Sequence, residues 1–379
     1  MLNQSKIYFP NLNGLRFIAA FMVIIHHLEQ VLSVFGHDNY WNNSIILSIG
    51  GLGVELFFVL SGFLITYLLL TEERNTKQIS ITDFYIRRIL RIWPLYYLIV
   101  ILAFFIFPNF KQFQLPVYSE QLVAHYWKVL VLFILFLPNI ALSGYGLVVP
   151  YASQAWSVGV EEQFYLIWPV LMKVFKNKLV VLLSVVLFYL IMKYFGFRFI
   201  THFLFWNEWL ELFRSFWSSF KIDCMAIGGI FSYLLFSKHK ILNVLFHKYV
   251  FATSLVMVLY LISFSVRIPY IEQEVYAIFF GVIILNLANN RNSGLVLENK
   301  VFNYLGKISY GLYMYHVIAI VFCIQLFKYL GILNYHIVLI LSCLLVTIIL
   351  ASLSYKFVEK RFISLKTKYS KVISGDNAK

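Results

Sequence analysis

The chain has 379 residues, 61% of them hydrophobic and 13% charged, with a formal net charge of +14 and a mean hydropathy of +0.79. A water-soluble domain of that composition would lack the polar surface to cover itself. Apolar runs recur from Leu15 to Val358 with no polar stretch long enough for an independent soluble domain. The chain therefore reads as one all-α, polytopic membrane domain, and its basic excess reads as membrane topology with no call for nucleic acid.

A helix needs about twenty apolar residues to cross the hydrocarbon. Ten segments qualify: roughly 15–35, 44–70, 90–107, 155–172, 179–195, 222–236, 249–265, 273–289, 308–330 and 337–358. The first lies behind a weakly basic leader and lacks a small-residue cleavage site, which marks it as a retained helix and not a signal peptide. An eleventh segment, 128–141, has only about fourteen residues and ends at Pro138-Asn139, so a re-entrant or interfacial helix is expected there. With ten spans and both ends in the cytoplasm, one side collects Lys6, the Arg74–Arg91 cluster, Lys173, Lys176, Lys178, Lys238, Lys240, Lys248, Arg291, Lys300, Lys307 and the tail from Lys356 to Lys379. That obeys the positive-inside tendency, and an eleventh span would invert it. The domain is expected to cover 1–363, with 364–379 a frayed polar cytoplasmic tail. The outer loops 108–154 and 196–221 are aromatic-rich. Cys224, Cys323 and Cys343 lie in apolar segments and show no metal spacing.

Ionisable groups inside spans cost several kcal/mol unless they face a wet or paired interior, so each is a functional candidate. Arg16 and His27 are eleven residues apart, which returns them to within roughly 20° of one helix face, about 16 Å apart in depth. Glu55 falls about eleven residues into the second span, followed by the small pair Ser61-Gly62, which lets a helix or ligand approach closely. The fourth span carries Glu161-Glu162-Gln163 near its outer end. Adjacent carboxylates point about 100° apart, so the two are expected to do different jobs. In the ninth span, Lys307, Tyr310, Tyr313 and His316 lie within two and a half turns, and His316 comes nearest His27 in depth. Read alone, Arg87, Arg88 and Arg91 are a topology signal, and Tyr310 and Tyr313 are packing.

Taken together, Gly14-Leu15-Arg16 with His27, Phe57 to Leu64, Arg87-Arg88…Arg91…Pro94, Trp156 to Tyr165, Gly306-Lys307-Ile308-Ser309-Tyr310, His316 and Tyr355…Glu359 resemble the acyltransferase-3 family of bacterial membrane O-acyltransferases. The resemblance runs through nearly the whole chain. It implies transfer of an acyl group, acetyl foremost, from cytosolic acyl-CoA to a hydroxyl of a cell-surface or lipid-linked carbohydrate, in the bacterial inner membrane and without a metal. It casts His27 as base or acyl acceptor with Arg16 as its partner, and Arg87, Arg88 and Arg91 as the grip on the donor. Guanidinium groups suit the coenzyme's phosphates through charge-assisted bonds. Glu161, Glu162 or Glu55 could orient the histidine's second nitrogen, and Ser61 or a tyrosine could polarise the thioester oxygen. Glu55 stands where many members carry aspartate, Lys360-Arg361 replaces an arginine-proline pair, and Lys221 precedes Asp223 where arginine is common. The extracytoplasmic hydrolase-like domain fused to some members is not expected here, so the acceptor falls to the membrane domain or to a separate partner. A transporter or flippase of a glycolipid or polymer, using the same polar cavity without chemistry, is the alternative reading.

Overall fold

In the computed structural model, the described residues are 6–113, 115, 119–146, 149–196, 208–290 and 293–375. Arg291, Lys379 and parts of both aromatic outer loops therefore lie outside them. The helices, in chain order, are α1 Leu12–Val34, α2 Ser44–Thr76, α3 Ile81–Ile101, α4 Ser119–Ile134, α5 Pro138–Tyr145, α6 Ala155–Val174, α7 Lys178–Ile191, α8 Glu208–Ser219, α9 Ile222–Phe236, α10 Lys248–Ser263, α11 Glu272–Asn289, α12 Lys300–Lys307, α13 Ser309–Leu330, α14 His336–Ser354 and α15 Lys360–Lys366. Two two-residue strands, β1 Lys6–Ile7 and β2 Ile373–Ser374, pair in parallel.

Among the described residues, seven helical stretches are long and apolar enough to cross a membrane. The other expected spans are present as helices of less clear-cut character: α6 and α11 carry paired or nearby carboxylates, and α10 has only 16 residues. The ambiguous 128–141 segment is broken. α4 ends at Ile134, Phe136 takes φ 59°, and α5 starts at Pro138. Proline is at home in a first turn, where its missing N–H has no partner to lose.

Polar caps set several helix starts. The Asn43 side chain accepts from the N–H of Ile45, Asn177 from Val180 and Asn299 from Phe302, each meeting an orphan donor of a first turn. The 33-residue α2 would be about 50 Å long. It runs through the centre of the bundle, and 72% of its apolar window is buried. It packs most extensively on α9, where a Cβ at Gly62 would run into the Met225 carbonyl and one at Gly228 into the Val59 carbonyl. Backbones this close need glycine on both sides. Likewise a Cβ at Gly306 would strike the Asn13 backbone, so this glycine seats α12 against α1.

The carboxy-terminal residues depart from expectation. Instead of fraying, residues 364–375 fold back: α15 packs along α3, and β2 joins β1. Lys6 pairs with Ile373 and Ile7 with Ser374, so the two ends of the described chain meet on one side of the bundle. The local sequence is polar, and tertiary contacts order it.

Candidate functional site

At the end where the termini meet, a cavity of about 190 Å³ opens between α1, α2, α3, α6 and α13, with room for roughly a dozen waters. Its wall carries Arg16, Arg88, Arg91 and Lys366, with Ser61, Glu161, Tyr165, Tyr310 and Tyr313 among the other polar groups. Among the described residues, the only carboxylate in that lining is Glu161, so these side chains make the cavity strongly cationic. Among the described residues, none of the four cations has a carboxylate oxygen within ion-pair distance. Arg16 reaches Asn13 Oδ1 at 3.4 Å. The Arg88 guanidinium lies 5.3 Å from the Phe84 ring and 5.5 Å from the Tyr165 ring, and its Nε is buried with no hydrogen-bond partner.

The three consecutive polar residues of α6 diverge. Glu161 faces the cavity, where Ser61 donates to its Oε1 at 2.6 Å and Tyr165 to its Oε2 at 3.1 Å. Glu162 turns toward α3 and accepts from Trp93 Nε1 at 3.2 Å, leaving its other oxygen buried and unpartnered. Gln163 exchanges two hydrogen bonds with Asn139 of α5, at 2.8 and 3.2 Å. One turn of helix thus serves three neighbours, and only Glu161 touches the cavity. Tyr165 lies four residues beyond Glu161 on the same face, a spacing that could have singled it out.

The arginine cluster divides in the same way. Arg87 makes a buried ion pair with Glu72 at 3.0 Å and donates to the Tyr369 carbonyl at 2.7 Å. It does not line the cavity; its neighbour Arg88 and the next-turn Arg91 do. Lys307 is exposed and lies over the Tyr355 ring, and the buried Glu55 neither lines the cavity nor hydrogen-bonds to either histidine among the described residues. Of the two small residues Ser61 and Gly62, the first meets the cavity and the second meets a helix.

Deeper in the bundle, His27 and His316 are in contact, His316 Nε2 lying 3.1 Å from His27 Nδ1. Carbonyls only accept, so the 3.0 Å contact of His27 Nδ1 with the Val23 carbonyl and the 2.6 Å contact of His316 Nδ1 with the Tyr313 carbonyl put a hydrogen on both Nδ1 atoms. His316 Nε2 is then a lone pair that accepts from His27 Nδ1–H. The remaining nitrogen of His27, Nε2, carries a lone pair and is the basic atom of the pair. Where a carboxylate partner is expected, the partners of His27 Nδ1 among the described residues are a carbonyl and a second histidine.

The cavity stops just short of this pair. Its lining includes Phe57 and Tyr313, whose rings are 6.0 Å apart, and the Tyr313 ring is 5.8 Å from that of His316. Tyr313 is held by its hydroxyl, which donates to the Gln154 carbonyl at 2.9 Å and meets Ser157 at 2.6 Å. Gln154 is itself tied to the Met314 carbonyl of α13. The expected polarising hydroxyls all have other acceptors: Ser61 and Tyr165 donate to Glu161, Tyr310 to the Ile92 carbonyl, and Tyr313 to Gln154. The charged donors in this cavity are the guanidinium groups and Lys366. No group of metal-ligating side chains is present among the described residues.

The chain is similar to three kinds of curated relative. It is 32% identical over 171 residues to the peptidoglycan O-acetyltransferase OatA of Listeria monocytogenes, covering 45% of this chain and 25% of that protein. Identity is also 32% over 171 residues to the putative peptidoglycan O-acetyltransferase YrhL of Bacillus subtilis, with the same coverage. To the O-acetyltransferase OatA of Staphylococcus aureus it is 27% identical over 377 residues, 94% of this chain and 57% of that protein. It thus matches little more than half the length of these relatives at most. No solved structure matches the chain. Residues 9–355 match the acyltransferase domain, a span that takes in Arg16, Arg88 and Arg91 of the cavity wall, the Ser61–Glu161 contact and the histidine pair. The chain belongs to that acyltransferase family.

Proposed function

We propose that the chain is a membrane O-acyltransferase that moves an acyl group, acetyl by analogy with its relatives' names, from acyl-CoA to a hydroxyl of a cell-envelope carbohydrate. The observation that carries this reading is a cavity walled by unpaired cations, one side chain away from a neutral histidine pair whose free Nε2 is a base. Phosphate oxygens of the coenzyme suit Arg16, Arg88 and Arg91. Positive residues gathered at the termini end support a cytoplasmic placement of that end, where acyl-CoA is made, and an even number of spans, ten with α6, α10 and α11 counted.

In this mechanism, His27 Nε2 takes the proton of the acceptor hydroxyl as its oxygen attacks the thioester carbonyl. The carbon–sulfur bond then breaks, and the coenzyme leaves as thiolate, which collects the proton from imidazolium. His316 accepts the Nδ1–H throughout and stabilises the transient positive charge. Developing charge on the carbonyl oxygen falls to guanidinium N–H groups, since the nearby hydroxyls are engaged. Phe57 and Tyr313 stand between cavity and base, and since Tyr313 is tied at its hydroxyl, a turn of the Phe57 ring is what opens the path. A relay with the acyl group resting on His27 uses the same atoms.

The test is thiol release from acetyl-CoA by purified protein in nanodiscs supplied with an envelope glycan, coupled to mass analysis of the glycan. The expected result is a gain of one acetyl group per thiol released, abolished in His27→Ala with the protein still folded. Normal turnover in that variant would remove His27 from the mechanism, and glycan movement across the bilayer without thiol release would favour a transporter.

A further inference from the structure

The carboxy-terminal segment forms part of the cavity wall. Lys366, Ser374 and Gly375 line it together with Ile7, Tyr8 and Phe9 from the other end of the chain. Three attachments hold the segment there: the β1–β2 pairing, the Arg87 bond to the Tyr369 carbonyl, and Lys371 at 3.7 Å from Asp83. Two of these attach to α3 within a turn or two of Arg88 and Arg91, so the helix that presents the cations also seats the tail.

Five basic residues lie between 360 and 371. Lys360, Arg361, Lys368 and Lys371 are exposed, while Lys366 is partly buried and turned into the cavity. The charges that act on Lys366 most strongly are Arg91, Arg88, Arg87 and Arg16, all positive. The cavity's one carboxylate, Glu161, already has a donor on each oxygen. Bringing a fourth cation into such a wall costs Coulomb energy that no ion pair among the described residues returns, and a polyanionic ligand would return it.

Resting on the donor reading above, we infer that Lys366 is a donor-binding residue: the segment Lys366–Gly375 closes the cavity mouth and places the Lys366 ammonium on a phosphate of the coenzyme. A lysine at the mouth acts as a point charge there and complements the forked guanidinium groups deeper in. The segment lies beyond the last residue matched to the family domain, so this part of the site belongs to the chain's own carboxy-terminal sequence.

The test uses the full chain in nanodiscs of zwitterionic phosphatidylcholine, which removes anionic headgroups as competitors. Coenzyme A binding and acetyl-CoA turnover are measured for the wild type, Lys366→Gln, Lys366→Arg and Lys368→Gln. Lys366→Gln should weaken coenzyme A binding roughly ten-fold and raise the donor KM to match, with kcat retained. Lys366→Arg should stay near wild type. Lys368→Gln removes the same charge from an exposed neighbour and should change binding less than about two-fold. Equal behaviour of Lys366→Gln and Lys368→Gln, in a wild type that binds coenzyme A, overturns the inference while sparing the donor reading. A wild type that binds no coenzyme A overturns the donor reading itself, and this inference with it.

Discussion

Arg87 and Arg88 are adjacent, identical in type and part of one basic run, yet the structure gives them opposite energetic roles. Arg87 is 9% exposed at its side chain and Glu72 3%, and they meet at 3.0 Å. Glu72 also accepts from the Ser80 N–H that starts α3, at 2.9 Å. Arg87→Ala leaves that carboxylate buried without its cation. The cost of breaking such a pair is about 3–5 kcal/mol, a factor of at least roughly one hundred in the folding equilibrium. Arg88→Ala removes a cation that has no acidic partner, so its stability cost should stay within about 1 kcal/mol, and relief of repulsion from Arg87 and Arg91 acts in the stabilising direction. Equilibrium unfolding in mixed micelles, followed by tryptophan fluorescence, measures both. A double variant, Glu72→Gln with Arg87→Met, should recover most of the loss because no buried charge is left alone. If Arg87→Ala and Arg88→Ala lose equal stability, or the double variant is no better than Arg87→Ala, the assignment of Arg87 to structure is wrong.

Donor kinetics should order the same region differently: Arg88→Ala and Arg91→Ala raise the acetyl-CoA KM by about ten- to a hundred-fold each, measured by thiol release, and an unchanged KM would detach the cavity from donor binding. His316→Phe removes the acceptor that holds His27 Nδ1–H, and kcat should fall by about ten- to a hundred-fold with donor KM kept; equal activity would make His316 a packing residue. Glu55→Gln should leave donor KM within two-fold, because its charged neighbours are Lys221, Asp223, Glu274 and Glu272 and not the cavity arginines; a rise matching that of Arg88→Ala would place Glu55 in the donor site after all. Gly62→Ala forces α2 off the Met225 carbonyl and should cost about 1–3 kcal/mol of stability, whereas Gly51→Ala, with open space around it, should be neutral or slightly stabilising. Comparable unfolding midpoints for the two alanine variants would contradict the close approach of α2 and α9.

Helical arithmetic made part of this site visible in advance. Arg16 and His27 share a face because eleven residues make three turns, and His316 matches His27 in depth because both are counted inward from a charged helix mouth. These are one-dimensional properties, and the 3.1 Å contact of the two rings realises them. The divergence of Glu161, Glu162 and Gln163 follows from the same 100° step, but which of them faces the cavity depends on α2, α3 and α5 packing around α6. For Arg87, Arg88 and Arg91, the period places Arg91 beside both of the others, one four residues and one three residues away, and the cavity takes 88 and 91. The reason is Glu72: its carboxylate, fifteen residues earlier, captures Arg87 and leaves Arg88 and Arg91 on the cavity wall. No local pattern announces a pairing at that separation.

The carboxy-terminal segment shows why composition misleads at a site of this kind. Polar, basic and short of apolar residues, it has every mark of a frayed end, since it cannot bury enough surface to order itself. What holds it is a two-residue strand pair across the full length of the chain, one carbonyl that accepts from an already buried arginine, and a lysine–aspartate contact. Each is weak alone, yet all three converge on the one wall of the cavity that the membrane helices leave open. In the proposed donor complex, this segment would add the Lys366 cation to those that α1 and α3 present. On the proposed donor reading, a polyanion in the cavity would return the Coulomb cost of seating Lys366 beside three arginines.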